Sequence, residues 1–164
     1  MPAELDAAIR AGVERHGRAY DRRVVRCVVE SLRQHPDTKQ NAVLLKDASG
    51  AVLPIMIGPD TASAIAGALT GNKSERPLTH DLLLSAFEKL GVRVARVGIT
   101  GFVPFNDPKQ TGGVFYATLY LERESERIEV DSRPSDAIAL AVRTGAPIDV
   151  DDAIFAKSSV KPAV

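Results

Sequence analysis

The chain has 164 residues, of which 45% are hydrophobic and 26% charged, as in ordinary soluble globular proteins. Its single cysteine, Cys27, excludes an internal disulfide and a zinc site built from several cysteines. The formal net charge is zero, whereas nonspecific binders of long duplexes carry a basic excess. We therefore expect one domain with at most a local phosphate-binding site.

No apolar run approaches the roughly 20 residues that span a bilayer, and residues 1–21 lack the apolar stretch of a secretory signal. We therefore expect a cytoplasmic protein that does not enter a membrane. Residues 1–22 are predicted to form a polar N-terminal helix or arm, with Leu5, Ile9 and Val13 spaced for one apolar stripe.

Three strands and two helices are predicted next. The strands cover residues 24–32, 42–46 and 52–57, and a helix with its apolar positions between Ala62 and Leu69 ends at Gly71. For the second helix we predict Thr79 as N-cap and Gly91 as terminator. Its predicted buried face consists of Leu82, Leu83, Ala86, Phe87 and Leu90.

The same order then returns. Strands are predicted at residues 92–103, at residues 114–121 and around Ile128, followed by a helix at residues 134–143 and a short segment at residues 151–155. The loop at residues 104–113 is predicted to be exposed. In the strand before Leu121, an outward face of Tyr116, Thr118 and Tyr120 offers a surface for a second copy, so we expect a homo-oligomer.

A weak internal similarity supports a duplication: residues 63–66 read Ser-Ala-Ile-Ala and residues 136–139 read Asp-Ala-Ile-Ala. The fold class predicted from this order is α+β, with a duplicated β3α2 unit. We expect a curved or barrel-like, mostly antiparallel sheet packed by the helices.

Two predicted helix starts share an arginine, a proline, a hydroxyl residue and an aspartate. They are residues 76–81, Arg-Pro-Leu-Thr-His-Asp, and residues 133–136, Arg-Pro-Ser-Asp. A helix start exposes unpaired N–H groups and the positive end of the helix dipole, which favours anions. An adjacent arginine adds a planar charged fork that suits phosphate oxygens. This composition indicates phosphate chemistry, provided that the two starts meet in space.

Each candidate residue has a functional and a structural interpretation. The candidate catalytic residues are His80, Asp81 and Asp136, and the candidate substrate-binding residues are Arg76, Thr79, Arg133 and Ser135. Histidine titrates near neutrality and suits proton transfer. Asp81, Asp131 and Asp136 form the best oxygen set if Mg²⁺ or Mn²⁺ is needed. The structural alternatives are N-caps for the hydroxyl residues and internal ion pairs between the arginines and the aspartates.

Three segments in order resemble the bifunctional nuclease (BFN) domain family: Leu-Pro-Ile-Met-Ile-Gly at residues 53–58, Arg-Pro-Leu-Thr-His-Asp-Leu-Leu at residues 76–83, and residues 130–141. The resemblance implies an α+β fold, self-association and, as in the plant members, nuclease activity on RNA and DNA. It places the domain at residues 23–156, with a flexible tail at residues 157–164. One departure is Thr61, which stands before Ala62 where the family usually has glutamate.

Two functions follow. The first is a nuclease that hydrolyses phosphodiester bonds in single-stranded or flexible RNA or DNA, with Mg²⁺ or Mn²⁺ as a possible cofactor. The second is a non-catalytic binding or assembly module that recognises an anion or a protein partner. The neutral charge and Thr61 favour the second, and the family resemblance favours the first.

Overall fold

Seven strands and four helices follow one another along residues 23–161, the part of the chain that the computed structural model describes. The arm predicted for residues 1–22 lies outside these residues. The elements in chain order are β1 (Val24–Gln34), β2 (Asn41–Lys46), β3 (Val52–Ile57), α1 (Pro59–Leu69), α2 (Thr79–Lys89), β4 (Arg93–Pro104), β5 (Gly113–Arg123), β6 (Glu126–Ser132), α3 (Pro134–Thr144), β7 (Ile148–Asp151) and α4 (Asp152–Ser158).

The strands form one curled sheet in the order β3-β2-β1-β7-β4-β5-β6. Strands β1–β3 make one antiparallel meander and strands β4–β6 make another. Strand β7 lies between them, antiparallel to β1 and parallel to β4. The predicted α+β class with a curved, mostly antiparallel sheet is confirmed, as is the return of three strands followed by helices. The short strand β7 between α3 and α4 was not predicted.

The hydrophobic core lies between the sheet and helices α1 and α3, which also pack against each other. Ile138 and Leu140 of α3 are fully buried beside Val97 and Ile99 of β4. Helix α3 begins with Pro134, whose fixed φ suits the first helical position, and it ends at Gly145, whose φ of 71° favours glycine. Helix α3 is therefore the central helix of the domain.

The buried face predicted for α2 is wrong. No residue of α2 is buried, and the side chains of Leu82 and Leu90 are 63% and 66% exposed. Only Leu84 and Phe87 pack partly against the core. Together with His80 they are spaced i, i+4 and i+7, so the inward side of α2 is set by one polar and two apolar residues. The physical reason is that α3 already occupies the sheet, which leaves α2 on the outside.

The outward face predicted on β5 is also wrong in part, because Thr118 and Tyr120 are buried. The ring of Tyr120 lies against Gly98 of β4, where a Cβ atom would come within 3.0 Å of it. The Arg96 guanidinium also stacks over this ring, 3.7 Å from its centroid. The missing side chain of Gly98 lets this aromatic ring lie along the sheet, which removes Tyr120 from the surface proposed for a second copy.

The C-terminal end differs from the predicted tail. Helix α4 continues to Ser158, so the boundary predicted at residue 156 falls inside a helix. Val160 then pairs with Val52 of the edge strand β3 through two backbone hydrogen bonds of 2.8 and 2.9 Å. Residues 162–164 lie outside the described part. No helix among residues 23–161 has the length and apolar character that crossing a bilayer requires.

Candidate functional site

The first turn of α3 meets the first turn of α2 through a hydrogen-bonded cluster of three side chains. Asp136 Oδ1 lies 3.0 Å from His80 Nε2, and Asp136 Oδ2 accepts a hydrogen bond of 2.7 Å from Arg133 Nε. We call this group the His80–Asp136–Arg133 cluster. The two helix starts that the sequence singled out therefore converge, which was the spatial condition for a shared site.

Asp136 is the centre of this cluster and is held as a carboxylate. Its partial burial acts to raise its pKa, but the hydrogen bonds from Arg133 and His80 outweigh burial, so the pKa lies below its ordinary value. An ionised Asp136 accepts a hydrogen bond from His80 Nε2–H, which leaves Nδ1 of a neutral imidazole as the basic nitrogen. The arrangement provides a histidine whose tautomer and orientation are set by a carboxylate.

His80 and Arg133 differ in exposure. The His80 side chain is 12% exposed, whereas the Arg133 side chain is 74% exposed. The bond from Arg133 to Asp136 uses Nε, so the terminal amino groups of this guanidinium remain at the solvent side. The cluster thus presents a shielded imidazole next to an exposed cation.

A second ion pair joins the same two helices. Asp81 Oδ1 accepts a hydrogen bond of 2.8 Å from Arg143 Nε in the last turn of α3, and Asp81 Oδ2 accepts one of 3.0 Å from the Leu78 backbone N–H. The Arg143 guanidinium is the largest cause of a lowered Asp81 pKa, followed by the Leu78 N–H. Arg143 is a residue that reasoning from the sequence missed. A basic residue is favoured in the last turn of any helix by the helix dipole. The sequence therefore contains no signal that Arg143 pairs with Asp81.

The remaining predicted site residues lie around these contacts without joining them. Arg76 is exposed and forms no ion pair with residues 23–161. Thr79 is exposed and is the first residue of α2, whereas Ser135 is buried. The predicted caps are wrong, because the N-cap positions belong to Leu78 and Arg133, and the side chain of neither caps its helix. The Leu78 N–H is bound by the Asp81 carboxylate instead. The arginine partner of Asp136 is Arg133 and that of Asp81 is Arg143, so neither aspartate pairs with the arginine of the other helix start.

The three aspartates predicted to bind a metal ion have different surroundings in the structure. Asp81 and Asp136 are each bound by an arginine, and Asp131 is exposed on β6 opposite Thr118. Within residues 23–161 no group of three or more histidine, cysteine, aspartate or glutamate side chains is placed to hold a metal ion. The residues present do not fit a preassembled divalent site, because forming one requires the arginine pairs to open.

Thr61, which stands where the family usually has glutamate, lies buried in the first turn of α1. A buried threonine can pack there without the charge that a glutamate brings into an apolar layer. This position therefore supplies no acidic group in this chain.

Comparison with known proteins shows the family of this chain. The model of the bifunctional nuclease domain matches residues 43–163. An uncharacterized protein of Mycobacterium tuberculosis is 37% identical over 133 residues, covering 80% of this chain and 74% of its own. Bifunctional nuclease 1 of Oryza sativa subsp. indica is 30% identical, covering 86% of this chain and 43% of the rice protein. Bifunctional nuclease 1 of Arabidopsis thaliana is 31% identical over 67% of this chain and 33% of its own. The chain spans less than half of these plant relatives, and it belongs to the bifunctional nuclease domain family.

Proposed function

We propose that this protein is a nuclease that hydrolyses phosphodiester bonds in RNA or DNA at the His80–Asp136–Arg133 cluster. The observation that carries the proposal is the contact of 3.0 Å between His80 Nε2 and Asp136 Oδ1, which orients a histidine beside an exposed arginine. Family membership and the names of the plant relatives support the same reaction class.

Each member of the cluster has a role in this proposal. Arg133 binds a non-bridging phosphate oxygen with its terminal amino groups, helped by the positive end of α3. His80 Nδ1 takes the proton from the attacking hydroxyl as its oxygen bonds to phosphorus, and Asp136 stabilises the imidazolium that forms. The bond between phosphorus and the leaving oxygen then breaks, and the imidazolium returns the proton to that oxygen. In RNA the attacking group can be the neighbouring 2′-hydroxyl, whereas in DNA it must be water. Arg76 supplies a second exposed cation before α2.

The net charge of zero argues against long duplexes as the substrate of the proposed nuclease. Long duplexes need a broad basic surface for affinity, and this chain has no basic excess. We therefore propose single-stranded or flexible nucleic acid as substrate. A requirement for Mg²⁺ or Mn²⁺, self-association and a cytoplasmic location stay predictions.

A non-catalytic binding or assembly module is the second candidate. It is favoured by the contacts of Asp81 with Arg143 and of Asp136 with His80, which tie α2 to α3, and by Thr61 in place of an acidic residue. On this alternative, Arg133 holds the domain or an assembly together and does not bind substrate.

One experiment separates the two candidates. Purified protein is incubated with labelled single-stranded RNA and DNA in EDTA, Mg²⁺ or Mn²⁺, and cleavage is compared with that of His80→Gln, Arg133→Ala and the His80→Gln/Asp136→Asn double variant. The nuclease proposal expects cleavage that falls at least about tenfold in His80→Gln with folding intact, because one acid–base group contributes this much or more. His35→Gln, which changes a histidine in the β1–β2 turn, is the matched control.

The results decide between a catalytic and a structural role. Equal cleavage by the wild type and the double variant identifies a contaminating nuclease and contradicts the proposal. If Arg133→Ala unfolds the protein or splits an oligomer, the assembly module is favoured. If Arg133→Ala stays folded with weaker substrate binding, that alternative is contradicted.

A further inference from the structure

Helix α2 carries His80 but has little packing of its own to hold it in place. None of its residues is buried, and its apolar contact with the core comes from the partly buried Leu84 and Phe87. A short helix without a buried face is held weakly by the hydrophobic effect. The position of His80 therefore depends on the polar contacts that join α2 to α3.

The polar contacts converge on one face of α3. Asp136, Ala139 and Arg143 are spaced i, i+3 and i+7, so they lie along the same side of this helix. Arg143 donates from Nη1 to the Ala139 carbonyl over 3.0 Å and from Nε to Asp81 over 2.8 Å. The guanidinium is thus held by the backbone of α3 while it binds Asp81 of α2.

The same chain of bonds continues into α2. Asp81 also accepts from the N–H of Leu78, the residue just before the helix, so the carboxylate that Arg143 holds also fixes the backbone on the other side of His80. The Arg143 side chain is only 11% exposed, which shields this ion pair from solvent more than an ordinary surface pair. Because the guanidinium is planar and makes two hydrogen bonds, it fixes both the direction and the distance of Asp81 from α3.

We infer that Arg143 is a positioning residue, which clamps the first turn of α2 through Asp81 and thereby holds His80 on Asp136. Arg143 does not touch substrate, so it acts on the reaction only through His80. The kinetic part of this inference rests on the proposed nuclease function, whereas the structural part does not.

The structural test uses NMR on the full chain labelled with ¹⁵N at histidine. In the wild type, the donation of His80 Nε2–H to Asp136 selects one neutral tautomer, which the two ring nitrogen shifts report. We expect Arg143→Met to convert this signature to a mixture of tautomers and Arg143→Lys to restore it in part. Asp81→Asn removes the same clamp from the exposed side and keeps the test usable if Arg143→Met does not fold. Arg123→Met, which breaks an ion pair within the β5–β6 hairpin, is the matched control.

The kinetic test separates positioning from substrate contact. We expect Arg143→Met to lower kcat about tenfold with KM unchanged, and to have no further effect in a His80→Gln background. An unchanged tautomer signature in both clamp variants overturns the inference, and so does a rise in KM alone or an equal loss in the His80→Gln background. If the wild type does not cleave nucleic acid, the nuclease proposal fails while the NMR result still decides the role of Arg143.

Discussion

The carboxylates of Asp81 and Asp136 link the site to stability at low pH. Hydrogen bonds from arginine lower the pKa of both groups in the folded protein. A group with a lowered folded pKa stabilises the native state above its unfolded pKa of about 3.9, and this contribution is lost as the pH falls through the folded pKa. The free energy of unfolding is therefore expected to fall below about pH 4, because the two carboxylates are protonated there and their ion pairs are lost.

Urea unfolding between pH 2 and pH 7 measures this effect. Asp81→Asn and Asp136→Asn should each be less stable than the wild type near neutrality and should converge with it in acid. Asp131→Asn, which removes an exposed carboxylate from β6, controls for net charge. Parallel curves for the wild type and the two variants across the whole range would contradict this prediction.

At the scale of single residues, the sequence predicted the participants of the site better than their contacts. The recurring Arg-Pro and aspartate pattern identified His80, Asp136 and Arg133, because helix starts have a recognisable composition. It could not identify Arg143, since a pair between Asp81 and a residue in the last turn of another helix depends on how α2 crosses α3. How α2 crosses α3 is set by the packing of the folded chain, which a local sequence pattern does not report.

At the scale of elements, α2 and α3 show that two helices with apolar residues at helical spacing can differ in burial. Leu140 of α3 is 1% exposed in the core, whereas Leu82 of α2 is 63% exposed. Both sequences show apolar residues at helical spacing, and for α2 this periodicity predicted a buried face. Periodicity shows that a helix has an apolar side but not whether another element covers it. This is why the strands and helices were predicted closely and the burial of α2 was not.

A pair of alanine substitutions tests this contrast. Leu140→Ala is expected to lower the free energy of unfolding by about 2–5 kcal/mol, because it leaves a cavity beside α1 and the sheet. Leu82→Ala is expected to change it by less than about 0.5 kcal/mol, because its side chain already contacts water. Urea denaturation of the two variants measures both values. A large loss of unfolding free energy in Leu82→Ala would contradict the exposed position of this side chain.

At the scale of the whole molecule, an ion pair lies where the two meanders meet. Asp149 of β7 is buried, and it accepts from Arg26 Nε of β1 over 2.5 Å and lies 3.5 Å from Arg96 Nη1 of β4. One carboxylate thus joins three neighbouring strands. Removing it leaves Arg96 without this carboxylate partner in a largely shielded position, which is costly for a buried charge.

Asp149→Ala is therefore expected to destabilise the fold by about 3 kcal/mol. Asp149→Asn should lose less, because the amide oxygen still accepts a hydrogen bond from an arginine. Thermal unfolding followed by circular dichroism gives the order of the two variants. An alanine variant as stable as the wild type would show that the arginines find other partners at no net loss.

The placement of β7 also has a consequence for how the protein folds. Arg26 and Asp149, which face each other across β1 and β7, are separated by 123 positions in the chain. During synthesis the first meander emerges long before the strand that covers its β1 edge. That edge stays open to intermolecular pairing until residues 148–151 leave the ribosome. We therefore expect closure of the sheet between β1 and β7 to be a late step, because pairing between strands so far apart in the chain slows folding.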